Sequence, residues 1–218
     1  MTETEPTKLT TKSTSGERGR NSARKPSSAS ASEVPPRSRF TVKDWVEAAL
    51  DILVAQSVDQ VRVEPLAERL GITKGSFYWH FKDRDALLAA VLEHWVDRAT
   101  LAIIRRIDLN EQNGSDRLQR LLMLPYETNR GPRGAEVELA IRAWARRSTA
   151  ARSAIDRVDA LRLAYFEQIF AQIGFEKTDA ATRSYIAYCY LQSTALIDQD
   201  VDVRRAASML AHGLLVHK

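Results

Sequence analysis

The chain has one cysteine, Cys189, so no intrachain disulfide framework can hold it together. No run of about 18 apolar residues occurs, which argues against a membrane-spanning helix. The first residues lack the apolar stretch of a secretory signal. Together these three absences predict a cytoplasmic protein with no membrane partner. The four histidines, His80, His94, His212 and His217, form neither an H-E-x-x-H pair nor a Cys/His cluster with zinc spacing. There is no Gly-rich phosphate loop and no G-x-S-x-G elbow. Cys189 falls in an apolar helical stretch, which favours an inert thiol. The sequence therefore predicts no enzyme, no metal and no cofactor. Strand alternation and 20–50-residue repeats are also missing.

What the chain has is helical periodicity over 218 residues, preceded by a tail of a different kind. Residues 1–39 are rich in Ser, Thr, Pro, Lys and Arg and poor in large apolar side chains. Such a segment cannot bury enough surface to offset its ordering entropy and is expected to be disordered. Residues 1–40 carry eight Lys/Arg against four Glu, which is the whole net excess of +4. The remaining residues are formally neutral, so the high pI says nothing about partners of the folded part. The tail is either a solvated extension or a basic arm that touches DNA.

Order is expected from Phe40. Val42, Trp45, Ala49, Ile52 and Leu53 predict an amphipathic helix over 41–55, with Thr41 able to cap it. After a break at 56–62, Pro65 is suited to a first helical position, and Leu66, Ala67 and Leu70 make a short apolar face. Gly71 supplies a positive-φ stop. Thr73 can cap a helix over 74–80, and Asp83 a third helix with apolar residues Leu87, Leu88, Val91, Leu92 and Trp95. Two short helices joined by a tight Gly turn and packed on a longer one is the helix-turn-helix plan. Further helices are expected over 97–108 (or as an extension of the preceding helix), 115–128, 134–148, 150–173, 179–197 and 201–216, with breaks at 113–114, 131–134 and 174–175.

Within the second short helix, Phe77 and Phe81 share a face and can anchor it to the first helix. Lys74, Ser76, Tyr78, Trp79, His80 and Lys82 spread over the remaining surface. Gly75 costs about 1 kcal/mol in a helix interior, a cost that close approach of a DNA backbone would explain. Residues 41–100 as a whole carry seven basic and ten acidic residues, so any basic footprint is local. On residues alone, Tyr78 and Trp79 either face DNA or pack against a neighbouring element.

The stretch from Val63 to Leu88, V-E-P-L-A-E-R-L-G-I-T-K-G-S-F-Y-W-H-F-K-D-R-D-A-L-L, resembles the helix-turn-helix of the TetR family of transcriptional regulators. The family pattern is L-A-x-x-x-G-V-S/T, then K/R-G-T/S-L/F-Y-x-H/Y-F, then K/E-L-L. The resemblance covers residues 41–95, about a quarter of the chain. It departs from the family at Arg84, where Lys is usual, and in the length of its tail. It implies an all-α fold with three parts: a disordered basic tail (1–39), a three-helix DNA-binding domain (40–95) and a helical ligand-binding and dimerisation domain (96–218). It implies that Thr73 caps the recognition helix and touches phosphate. Lys74, Ser76, Tyr78 and His80 would face the major groove or its rim, with Trp79, Lys82 and the cation at Arg84 near the backbone and Gly75 permitting the approach. Which of them reads bases stays open.

The resemblance further implies three partners: double-stranded operator DNA, a second copy of the chain, and a small-molecule effector that releases the protein, acting as a repressor, from its operator. Dimerisation would use helices 150–173 and 179–197, with Ile155, Val158, Phe166, Ile169, Tyr185 and Leu196 as candidate contacts; a monomeric core using both faces is the alternative. The effector would lie among Trp95, Met123, Tyr126, Trp144, Tyr165 and Tyr188. Glu138 and Arg142, four apart, are either a surface ion pair or the polar end of a ligand site.

Overall fold

Thr41 starts the first helix as expected. Its Oγ1 accepts from the Asp44 N–H at 3.4 Å, and the Asp44 carboxylate accepts from the Thr41 N–H at 2.6 Å. This reciprocal capping satisfies two N–H groups at once. The computed structural model describes residues 40–126, 133–194, 196–197 and 200–217. The expectation of a disordered tail over 1–39 lies outside these residues, as does the end of the helix expected to reach 128. Helix α1, Val42–Ala55, buries Trp45, Val46, Ala49, Ile52 and Leu53, whereas Val42 is exposed and stands off the face assigned to it.

A 3-10 turn at Val58–Gln60 leads to α2, Val63–Arg69. Pro65 is its third residue rather than its first. The opening N–H groups of a helix have no intrahelical acceptor, so proline removes no bond there. Gly71, at φ 66°, ends α2: its N–H donates to Glu68 and that of Ile72 to Ala67. That pair of bonds is the Schellman stop, and it needs a left-handed residue. Helix α3 is Lys74–Tyr78, shorter than expected, and α4 is Arg84–Val96, with the Asp83 carboxylate accepting from the Ala86 N–H at 2.8 Å.

Helix α4 does not stop near residue 95. It continues through a π-helical segment, Asp97–Leu101, into α5, Ala102–Asn110. The other elements are α6 (Gly114–Met123), a 3-10 turn at Leu124–Tyr126, α7 (Arg133–Ala145), α8 (Thr149–Ile173), α9 (Lys177–Ser193) and α10 (Val201–Val216). No strand occurs among the described residues. Nor is any helix of the described residues long and apolar enough to cross a membrane.

Two apolar clusters form. The first joins α1–α4 to Val137, Ile141 and Trp144 of α7 and to Ile155 and Val158 of α8. It runs across the boundary expected at 95/96, because α7 and α8 supply one wall of it. The second gathers Ile107, Leu118, Leu122, Phe166, Ile169, Phe170 and Ala187. Helix α8 contributes to both, so its apolar excess is consumed inside the protomer.

Gly114 opens α6 where that helix abuts α8. A Cβ there would lie 2.7 Å from the Ile169 carbonyl oxygen and 2.9 Å from Ile173 Cγ1. A backbone oxygen cannot rotate away, so Gly114→Ala is expected to destabilise by about 1–3 kcal/mol. Thermal melting checks this; an unchanged melting temperature would show that α6 and α8 can part without cost.

Candidate functional site

Helix α3 is anchored on one face and bare on the other. Phe77 is fully buried, edge-on to Trp45 with ring centroids 5.3 Å apart, and Phe81 lies 5.4 Å from it. This fixes α3 against α1, as the four-residue spacing predicts. The opposite face carries Lys74, Gly75, Tyr78, Trp79 and His80, all exposed, with Ser76 partly so. Trp79 is 89% exposed, and Tyr78 is 62% exposed. Large aromatic side chains bare to this extent are unusual unless a partner covers them.

The backbone adds a second point. A Cβ on Gly75 would meet only Thr73 Oγ1, at 3.7 Å. No described neighbour inside the chain therefore requires glycine there. Thr73 has the extended backbone of an N-cap, but its hydroxyl makes no cap bond; it sits 3.5 Å from the Ser76 hydroxyl. Both hydroxyls stay near the helix start, where anions are favoured. Lys74 Nζ is 2.9 Å from Glu64 Oε1 on α2, and both side chains are largely exposed. That hydrogen bond holds the Glu64 carboxyl below its ordinary value. An incoming phosphate would compete with Glu64 for Lys74. Lys82 is exposed beside Asp83.

Arg84 differs from its expected role. Its Nε donates to the Val61 carbonyl at 2.6 Å and its Nη2 to the Val58 carbonyl at 2.5 Å. The guanidinium thus points into the chain and ties the start of α4 to the turn before α2, rather than reaching outward to phosphate. Sequence reasoning misses this, although the irregular stretch 56–62 offers a signal: carbonyls outside helices need donors from elsewhere.

The residues expected to bind an effector are divided between the two apolar clusters and the end of α6. Trp95 and Trp144 belong to the first apolar cluster, Tyr165 and Tyr188 to the second. Tyr165 donates to Asp108 at 2.7 Å. Tyr126 lies 3.3 Å from the Ser208 hydroxyl, and Met123 is half-buried nearby on α6. The described residues form grooves in at least two places. One of about 470 Å³ lies between the end of α1 and α7 and includes Trp144; another, of about 370 Å³, lies over α8 and the start of α9.

Glu138 and Arg142 are not a surface pair. The Glu138 carboxylate takes both Nη groups of Arg162, at 3.0 Å each, along with Arg142 at 2.9 Å and the Gln192 amide at 2.8 Å. Arg142 also reaches Asp159 at 2.6 Å, and the Tyr188 hydroxyl donates to Asp159 at 2.6 Å. Burial by itself pushes the Glu138 carboxyl up. The charge and hydrogen bonds of Arg162, with those of Gln192 and the charge of Arg142, outweigh burial and hold it at about 2. Burial dominates at Tyr188, whose hydroxyl is pushed up to about 12.

A depressed carboxyl stabilises the fold fully above its unfolded value and loses that contribution as pH falls through the folded one. For Glu138 the window runs from 4.5 down to about 2. The difference corresponds to roughly 3 kcal/mol. Glu138→Gln is therefore expected to be less stable than wild type at neutral pH, with the gap closing across that window. Denaturant unfolding at stepped pH measures it; a gap independent of pH would contradict the charge assignment.

The dimer candidates also divide. Ile155, Val158, Phe166 and Ile169 are buried in the protomer's own core and have no surface left for a second chain. Their helix α8 is covered by α4, α6, α7 and α9. Tyr185 and Leu196 are exposed. Ile186 of α9 and Val203, Leu210 and Leu214 of α10 are exposed as well, and sequence periodicity does not single out those on α10.

Comparison with known proteins agrees with this geometry. Residues 46–91 match the family described as bacterial regulatory proteins, tetR family. The class A tetracycline repressor from transposon 1721 of Escherichia coli is 46% identical over 48 residues, 22% of either chain. The curated relatives are thus matched over about a fifth to a third of their length. Among solved structures, a transcriptional regulator from Pseudomonas aeruginosa PAO1 superposes with a TM-score of 0.68 at 17% identity, over 85% of this chain and 93% of its own. The regulator FadR of Bacillus subtilis, in complex with stearoyl-CoA, gives 0.60 at 16% identity, over 81% and 98%. At such identities these two establish the fold alone. Residues 46–91 of this chain are thus an N-terminal domain of the tetR family of bacterial regulatory proteins, set within an all-helical fold.

Proposed function

We propose that this chain is a sequence-specific DNA-binding transcriptional regulator, a repressor released from its operator by a small molecule, and that it acts in the cytoplasm as a homodimer. The outer face of α3 carries the reading: Trp79 and Tyr78 bare to solvent beside Lys74, His80 and a glycine that no described neighbour requires. An α-helix fits the major groove, and an exposed polar and aromatic face can both position on phosphates and read base edges. The exposed apolar residues of α9 and α10 are suited to a second copy, which would present two α3 helices to an inverted repeat.

The effector is a small, mostly apolar molecule bound among the C-terminal helices. The acyl-CoA carried by the Bacillus subtilis FadR relative makes long-chain acyl-CoA a reasonable first compound to try. DNase footprinting on the DNA flanking the protein's own gene tests the reading. One protected inverted repeat, lost on adding effector, is expected. By linkage, saturating operator must weaken effector binding by the same factor. A compound whose affinity ignores operator is not the effector, and a chain that protects no DNA is not this kind of regulator.

A further inference from the structure

The π-helical segment Asp97–Leu101 lies between the part of the chain that carries α3 and the part that carries the Glu138 cluster. A π turn holds one residue more than an α turn needs, so such a segment can change register at small cost and often marks a functional position. Glu47 and Arg105 meet its side chains Arg98 and Asp97 at 3.2 and 2.9 Å, and Arg162 alone among the described contacts reaches both a side chain and a backbone carbonyl of it. Arg162 of α8 donates from Nη2 to the Ala99 carbonyl at 3.1 Å and from Nε to the Thr100 hydroxyl at 3.2 Å. The same guanidinium holds Glu138 of α7 through both Nη groups and reaches the Tyr188 hydroxyl of α9 at 3.3 Å. A guanidinium has five N–H donors in a fixed plane, and these five contacts engage all of them. Its two groups of partners therefore cannot move independently.

At the other end, α4 is fastened to the DNA-facing part. Leu87, Leu88 and Val91 pack with Trp45 in one apolar cluster, and Arg84 clasps the turn before α2. Glu47 of α1 meets His94 at 3.1 Å and Arg98 at 3.2 Å. Helix α4 thus links the π segment directly to the part of the chain that carries α1–α3.

We propose that Arg162 is a positioning residue for DNA recognition: by gripping Ala99 and Thr100 it sets the register of the π segment and hence the stance of α4 and α3, and it makes that stance depend on Glu138 and Tyr188. A molecule that takes Glu138 or Tyr188 as a partner withdraws it from Arg162 and loosens the grip on the π segment. The inference rests on the reading that α3 binds DNA. It adds where, within the chain, the two functions are joined.

The test uses the full chain, wild type and two variants. Arg162→Lys keeps the charge but cannot form the planar fork. Thr100→Val removes one hydroxyl with little change in volume, so it preserves the test if the first variant folds poorly. Hydrogen exchange reads the segment without DNA: amides of residues 97–104 are expected to exchange faster in both variants, with α2 and α3 unchanged. Operator binding is read on duplexes derived from a sequence that the wild-type chain selects from a random pool, with half-site separation varied in single base-pair steps. Both variants are expected to lose about tenfold on the wild-type spacing and to shift or flatten the spacing preference, while preference within each half-site persists. Wild-type exchange in both variants overturns the proposal. So does faster exchange with an unaltered spacing profile, which is what a purely structural arginine gives. A wild-type chain that selects no duplex overturns the DNA-binding reading instead, and the exchange measurement still decides whether Arg162 grips the π segment.

Discussion

A chain carrying Lys74→Ala, Tyr78→Phe and Trp79→Ala together is expected to melt close to wild type and to lose most of its operator affinity. The stability half follows from geometry. Trp79 stands bare in solvent, and Tyr78→Phe keeps the ring that lies 5.3 Å from Phe77. The Lys74–Glu64 pair is exposed on both sides, where ion pairs are worth little. The binding half follows from symmetry. A base-edge contact is worth about 1–3 kcal/mol, and in a twofold dimer each substitution removes it from both half-sites. A loss of roughly 2–6 kcal/mol per base-reading residue is therefore expected on the cognate duplex. If Lys74 holds phosphate instead, Lys74→Ala alone weakens all sequences alike, and the plot of log affinity against log salt becomes shallower by about 0.9 for each phosphate no longer neutralised. Fluorescence anisotropy across a salt series separates the two roles. Wild-type affinity in the triple variant would remove this face of α3 from DNA recognition.

Phe77→Ala should do the opposite, damaging the fold first and binding as a consequence. Phe77 is fully buried between Trp45 and Phe81 and is the pin that holds α3 to α1. Helix α3 spans five residues, too few to persist without that packing. Truncating a buried phenylalanine costs about 3–5 kcal/mol, depending on how far the site collapses. Urea unfolding followed by tryptophan fluorescence is expected to show a loss of that size, with α1–α3 the first part to open. A cost below about 1 kcal/mol would mean that α3 is held by something other than its aromatic pin.

These two residue sets are legible in the sequence because their signals are local. Phe77 and Phe81 sit one helical turn apart; Thr41, Gly71 and Asp83 act on backbone groups within a few residues of themselves. The failures are equally physical. Periodicity gives the apolar face of α8 but not its neighbour, so Ile155, Val158, Phe166 and Ile169 read as an interface when α4, α6, α7 and α9 already cover them. Arg162 reaches partners 24 to 63 positions away, and Arg84 reaches back 23 and 26. A cation whose acceptor is that distant in sequence looks like any solvated charge. The continuity of α4 into α5 is partly visible, since no stop signal separates them, but the π segment has no composition of its own to announce it.

The most direct measurement is selection from a random duplex pool by the wild-type chain, followed by the stoichiometry of the enriched duplex. An inverted repeat bound by two protomers, and no enrichment by the Lys74→Ala, Tyr78→Phe, Trp79→Ala chain, is the expected result. Equal enrichment by both proteins, or no enriched sequence with the wild-type chain folded and dimeric, would contradict a DNA-reading role for α3.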